Sequence, residues 1–194
     1  MTTLNLPKFQ SFKYLLIIVL CLFVLKSYSK KYPGEYYTND NDTISCKIDV
    51  AENSNYDDLI DPLTCKYSVS IYEFDRLKLF KANQIKGFCI KNPTYGNEYF
   101  TSITYNKEDI FARNLAEGRL SLYIYYFRNS YDWSCEQRYL LKKGGTYTVL
   151  PMFLFKTSFA PFVQDNEEIY KKVMNRTYKS DDVVEVIRLY NSSF

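Results

Sequence analysis

The sequence predicts a mainly β protein: an antiparallel β-sandwich, Ig-like or similar, of about seven or eight strands, with one short internal helix and one or two C-terminal helices. Three observations carry this. Residues alternate between two faces with period two in several runs, most clearly Leu120-Leu122-Ile124-Tyr126 against Ser121-Tyr123-Tyr125-Phe127, whose second face is aromatic too and reads as that of a central strand. The composition holds 20 Tyr and 14 Phe, side chains that suit pleated, half-buried surfaces. Gly144-Gly145 separates two further runs, as a tight hairpin loop requires.

Taken in chain order, residues 1–29 read as a secretory leader. Tyr14–Leu25 is apolar or aromatic throughout, Lys8 and Lys13 precede it, no acid occurs before Glu35, and Ser27 and Ser29 supply small residues at −3 and −1 of a cleavage after Ser29. Twelve helical residues reach about 18 Å, short of the roughly 30 Å hydrocarbon core. An uncleaved type II anchor, with the C-terminus outside, is the alternative. Residues 30–43 are polar, contain Pro33-Gly34 and read as a stalk or linker. The Asn39–Asp42 cluster within them lacks the distal ligands of a calcium loop and reads as a solvated turn.

Residues 44–163 read as a disulfide-linked β-rich domain. Its expected strands include Tyr67–Tyr72, Ile85–Ile90, Tyr99–Tyr105, Leu120–Phe127, Gln137–Lys143 and Thr146–Leu150. Asn106 followed by Glu108 and Asp109, with Gly118 further on, predicts a short helix over Lys107–Glu117. Residues 164–194 read as helical. Asn166–Asn175 places acids early and lysines late, and Ser180–Asn191 carries Val183, Val184 and Ile187 as a helical stripe. Trp133 and Cys135 do not follow the Cys…Trp…Cys order of antibody domains.

Function is constrained mainly by exclusion. The chain of 194 residues has no histidine, which removes Ser-His-Asp triads, Cys-His dyads and His-ligated zinc. No P-loop, GxGxxG or GxSxG motif occurs. Asp57, Asp58 and Asp61 form the densest acidic group, but in a polar loop rather than the apolar pocket that raises a catalytic carboxyl. No enzyme, cofactor or metal site is expected. Beyond the leader the basic and acidic residues balance at 22 each, so the basic excess belongs to the targeting segment and nucleic acid is not an expected partner.

Beyond the leader Cys46, Cys65, Cys89 and Cys135 remain. In an oxidising lumen they predict two disulfides. Three connectivities are open, and the smaller loops of Cys46–Cys65 and Cys89–Cys135 favour that pairing. Sequons at Asn41, Asn175 and Asn191 predict exposed glycosylation positions if the chain is exported. Tyr123, Tyr125, Tyr131 and Trp133 are the candidate binding face, since Tyr and Trp are enriched at interaction hot spots. The expectation is a secreted or surface-displayed, non-enzymatic binding module of a eukaryote or a virus infecting one. Its partner would be a protein on a cell surface or in the extracellular space, with membrane contact only through an uncleaved leader. The alternatives are a carrier of lipid or another small apolar ligand, lined by Tyr147–Phe155 and Phe159–Val163, and a membrane-anchored envelope or surface structural protein.

Overall fold

The structure, a computed structural model, describes residues 29–52 and 59–194. The apolar run Tyr14–Leu25, and Asp57 and Asp58, lie outside them. Among the described residues no helix is long and apolar enough to cross a membrane.

Ten antiparallel strands form one sheet: β1 Ser29–Tyr37, β2 Thr43–Ala51, β3 Ser68–Glu73, β4 Arg76–Lys81, β5 Gly87–Asn92, β6 Gly96–Tyr105, β7 Glu108–Ala116, β8 Leu120–Arg128, β9 Cys135–Lys143 and β10 Thr146–Leu150. Their order is β10-β9-β8-β7-β6-β5-β1-β2-β3-β4. Two meanders, β1–β4 and β5–β10, are therefore joined where β5 returns to pair with β1. The fold is mainly β as expected, but it is one sheet of ten strands. A two-sheet sandwich is not what organises it.

That sheet curls. Tyr36 in β1 and Phe80 in β4 lie three strands apart, about 14 Å along a flat sheet, yet their ring centroids are 5.1 Å apart. The backbone N–H of Phe111 in β7 donates to the Lys66 carbonyl, just before β3, at 2.7 Å. The concave face thus encloses Tyr32, Ile48, Ile71, Phe88, Ile90, Phe100 and Phe111 without help from a helix. Phe88 stacks on Phe100 at 4.8 Å and meets Phe111 edge-on at 5.0 Å, arrangements aromatic pairs prefer.

At the other end of the same face three helices supply the cover: α1 Phe155–Val163, α2 Glu167–Met174 and α3 Val183–Ser192. They bury Phe155, Phe159, Val163, Ile169, Val173, Val186, Ile187 and Tyr190 against Leu120, Leu122, Leu141 and Leu150. Asn166 caps α2, its side chain accepting from the Ile169 N–H at 3.1 Å. Asp165, between α1 and α2, gathers Arg119 (2.9 Å), Lys143 (3.0 Å) and the Tyr190 hydroxyl (2.8 Å). Burial would raise its carboxyl, but Lys143 and Tyr190 outweigh that and hold it below its usual range.

Two segments differ from expectation. Residues 30–43, read as a linker, supply β1: Tyr32 and Tyr36 are buried and Gly34 lies between them, while Pro33 points outward. The segment 107–117, read as a helix, is β7. Asn106 and Lys107, at φ of 51° and 68°, form the two-residue turn of the β6–β7 hairpin, whose twist demands positive φ at both positions. Lys107→Gly is therefore expected to raise stability by about 0.5–1 kcal/mol, by relieving the left-handed backbone of a residue with a Cβ. A lowered midpoint in urea denaturation would contradict that turn.

Candidate functional site

Two features could bind something, and one of them lies on the opposite, convex face. The first is a groove of about 830 Å³, built where β1, β5, β6 and β7 run side by side. Register places Tyr37 opposite Gly87, Gly87 opposite Thr101, and Tyr99 opposite Asn114. Gly87 leaves bare backbone between a phenol and a hydroxyl, the usual meaning of glycine inside a strand. Asn39 and Asn41, after β1, and Asn83 and Lys86, before β5, form one rim; Glu117 and Arg188 close the other end.

Hydrogen bonds fix much of this lining. Asn114 donates from Nδ2 to Thr101 Oγ1 and to Glu117 Oε2, both at 3.2 Å. Arg188 donates to the Leu115 carbonyl at 3.4 Å, and Lys86 Nζ to Asn41 Oδ1. Burial pushes the Tyr37 phenol up to about 12, helped by Cys89, Glu35 and Tyr99 nearby. It stays a donor at any physiological pH. Tyr37, Tyr99 and Asn114 were not singled out from the sequence. The one available signal was that Tyr99 and Thr101 share a face of an alternating strand.

The second feature is the loop Asn129–Ser134 between β8 and β9. Tyr131 is 94% exposed and Trp133 71% exposed. The loop is braced: the Trp133 N–H donates to the Asn129 carbonyl at 3.0 Å, the Asn129 N–H to the Ser134 carbonyl at 2.9 Å, and the Tyr131 N–H to Asn129 Oδ1 at 2.9 Å. Asp132 accepts from the Ser134 hydroxyl and N–H, which hold its carboxyl below the usual range. Trp133 sits at φ 59°, a left-handed conformation that costs a bulky residue energy and that the surroundings must impose.

The four aromatics expected to form one face are not brought together. Tyr123 is 2% exposed and packs with Ile103, Ile110 and Leu140. Tyr125 is half-buried, stacked on Phe127 at 5.7 Å, and its hydroxyl accepts from Lys66 Nζ at 3.0 Å. Ile124 is also buried, so β8 is covered on both sides here. Only Tyr131 and Trp133 reach solvent.

Among the described residues Cys46, Cys65, Cys89 and Cys135 stand as unbridged thiols in this structure. Cys46 and Cys89 pair in register with Gly34 and Glu35, so they lie on opposite faces of the sheet. Cys89 and Cys135 have three strands between them. Cys65 and Cys46 reach the same core cluster. Burial pushes the Cys65 thiol up to about 12 and Cys46 to about 11, which keeps both protonated and unreactive.

Of the sequons, Asn41 and Asn175 are exposed. Asn191 is not a free acceptor: Nδ2 donates to the carbonyls of Leu120 (2.8 Å) and Glu117 (3.2 Å), and Oδ1 accepts from the Leu120 N–H at 2.9 Å. The runs Tyr147–Phe155 and Phe159–Val163 are largely spent on packing, with Leu150, Phe155, Phe159 and Val163 in the helix-covered core.

Among the described residues no group of three or more Cys, Asp or Glu is placed to hold a metal. Asp61 accepts from the Leu63 N–H at 3.0 Å in a local turn. The buried carboxyl of Glu98, raised by desolvation despite Arg113 at 3.3 Å, is on the concave side, paired with Ile90, and does not line the groove. Comparison with known proteins finds no match to this chain among protein-family models, curated proteins or solved structures.

Proposed function

We propose that the chain is an exported, non-enzymatic binding module of a eukaryote or of a virus infecting one, and that it meets a protein partner outside the cell through the β8–β9 loop. The observation that carries this is the braced loop holding Tyr131 and Trp133 in solvent. Large amphipathic side chains on an ordered backbone lose little entropy on binding, which is how hot spots gain affinity.

The test expresses the full chain with its leader in a secretory host and labels its neighbours on host cells. Medium protein beginning at Lys30 is expected; a membrane-bound chain beginning near Met1 selects the anchored form, and a soluble cytosolic chain beginning at Met1 refutes export. Tyr131→Ala with Trp133→Ala is expected to leave folding intact and cost at least about 2 kcal/mol of partner affinity, abolishing labelling. An unchanged labelling pattern rejects the loop as the contact.

A further inference from the structure

The convex groove is separate from the β8–β9 loop, and occupancy of one does not require the other. Its volume of about 830 Å³ lies within the range of about 300–1,000 Å³ common to small-molecule sites, but such sites are mostly apolar, and this one mixes Ala82, Ile85, Phe100 and Leu115 with phenols, amides and the hydroxyls of Thr101 and Ser102. A lipid would desolvate those groups without pairing them. An anion would meet Lys86 and Arg188, each with one donor already given to a neutral oxygen, but also the Glu117 carboxylate in the same lining, which repels it. Glu117, the acid of the lining, is engaged by Asn114.

What the groove still offers is specific. Tyr99 is 45% exposed, and its ring makes no aromatic contact among the described residues, although its hydroxyl accepts from Asn97 Nδ2 at 3.4 Å. Asn114 has spent both amide hydrogens, leaving its carbonyl oxygen as an acceptor. Asn83 is exposed, and its amide offers two donors and an acceptor side by side. An open ring beside adjacent neutral donors and acceptors matches a molecule with one apolar C–H face and vicinal hydroxyls. A pyranose has both. We infer that this groove is a carbohydrate site for a neutral oligosaccharide, with Tyr99 as the stacking platform and Asn83 and Asn114 as the amides that read hydroxyls.

Such a saccharide could be free, or it could be a glycan carried by this chain at Asn41 on the rim. Calorimetry on the full chain made without glycosylation distinguishes them, using chitotetraose, maltotetraose and mannotetraose, with a heparin tetrasaccharide and inorganic phosphate as anionic probes. At least one neutral saccharide is expected to bind one to one. Affinity should fall at least about tenfold in Tyr99→Ala and in Asn83→Ala, both exposed positions, and stay unchanged in Phe153→Ala, an exposed position outside the groove. If the glycosylated chain binds the same saccharide more weakly and Asn41→Gln restores it, the chain's own glycan fills the groove. Three results overturn the assignment: no neutral saccharide binding up to about 10 mM, binding indifferent to Tyr99→Ala, or binding of heparin or phosphate alone.

Discussion

Phe159→Ala is expected to lower stability by about 3–5 kcal/mol, the largest loss among single substitutions considered. Phe159 is fully buried in α1 and stacks on Phe155 at 4.9 Å. Around it stand Leu120, Leu122 and Leu141 from the sheet and Val186 and Ile187 from α3. Truncation removes ring contacts shared by three layers of neighbours, and helices pinned by Asp165 to Arg119, Lys143 and Tyr190 cannot simply collapse into the void. Urea denaturation reads the loss directly. A change below about 1 kcal/mol would mean that the helices are not an integral cover for β8–β10.

Gly34→Ala should cost nearly as much, roughly 2–3 kcal/mol, for the opposite reason. A Cβ at Gly34 would stand 2.5 Å from the Cys89 carbonyl oxygen and 2.6 Å from Ile48 Cδ1. Ile48 could adopt another rotamer, but the carbonyl belongs to the backbone of β5. Only separation of β1 from β5 relieves the overlap, and that is the junction holding the two meanders together. Thermal melting of the variant tests this. A melting temperature equal to that of the parent would show that β1 and β5 do not pair as described.

The elements legible in the sequence were those whose signal is local. Strand β8 carried a dense run of aliphatic and aromatic residues on both faces, Gly144 and Gly145 marked the β9–β10 turn at φ of 58° and 87°, and the acids and lysines of Asn166–Asn175 marked α2. Where local and tertiary demands diverged, the reading failed. Pro33-Gly34 looks like a linker, but Gly34 is required by the close approach of β5. Asn106 suits a helix cap and a left-handed turn equally well, and β7 hid its period because Ile110, Phe111 and Ala112 are all buried. Strand β4 went unseen because Phe74-Asp75, at φ of 47° and 62°, make a hairpin turn without glycine.

No property of individual strands says that β5 pairs with β1 rather than β4, so one curled sheet could not be told from a sandwich. The groove was illegible for the same reason: Tyr37, Tyr99 and Asn114 meet only through that pairing. Tyr131 and Trp133 were legible as aromatics of interest. Their separation from Tyr123 and Tyr125 depends on where β8 ends.

Asn191 sets two chemistries in competition for one nitrogen. Its Nδ2 is the atom an oligosaccharyl donor would modify, and also the atom that laces the end of α3 to the β7–β8 turn through Glu117 and Leu120. A sugar attached there leaves Nδ2 a single hydrogen for two carbonyls and thrusts its bulk toward Gly118, where even a single added carbon would lie 2.6 Å from the Asn191 amide. Modification and closure of this corner are thus mutually exclusive. A chain that is glycosylated at Asn191 before it folds is held open at its last helix, and a chain that folds first has already hidden the acceptor.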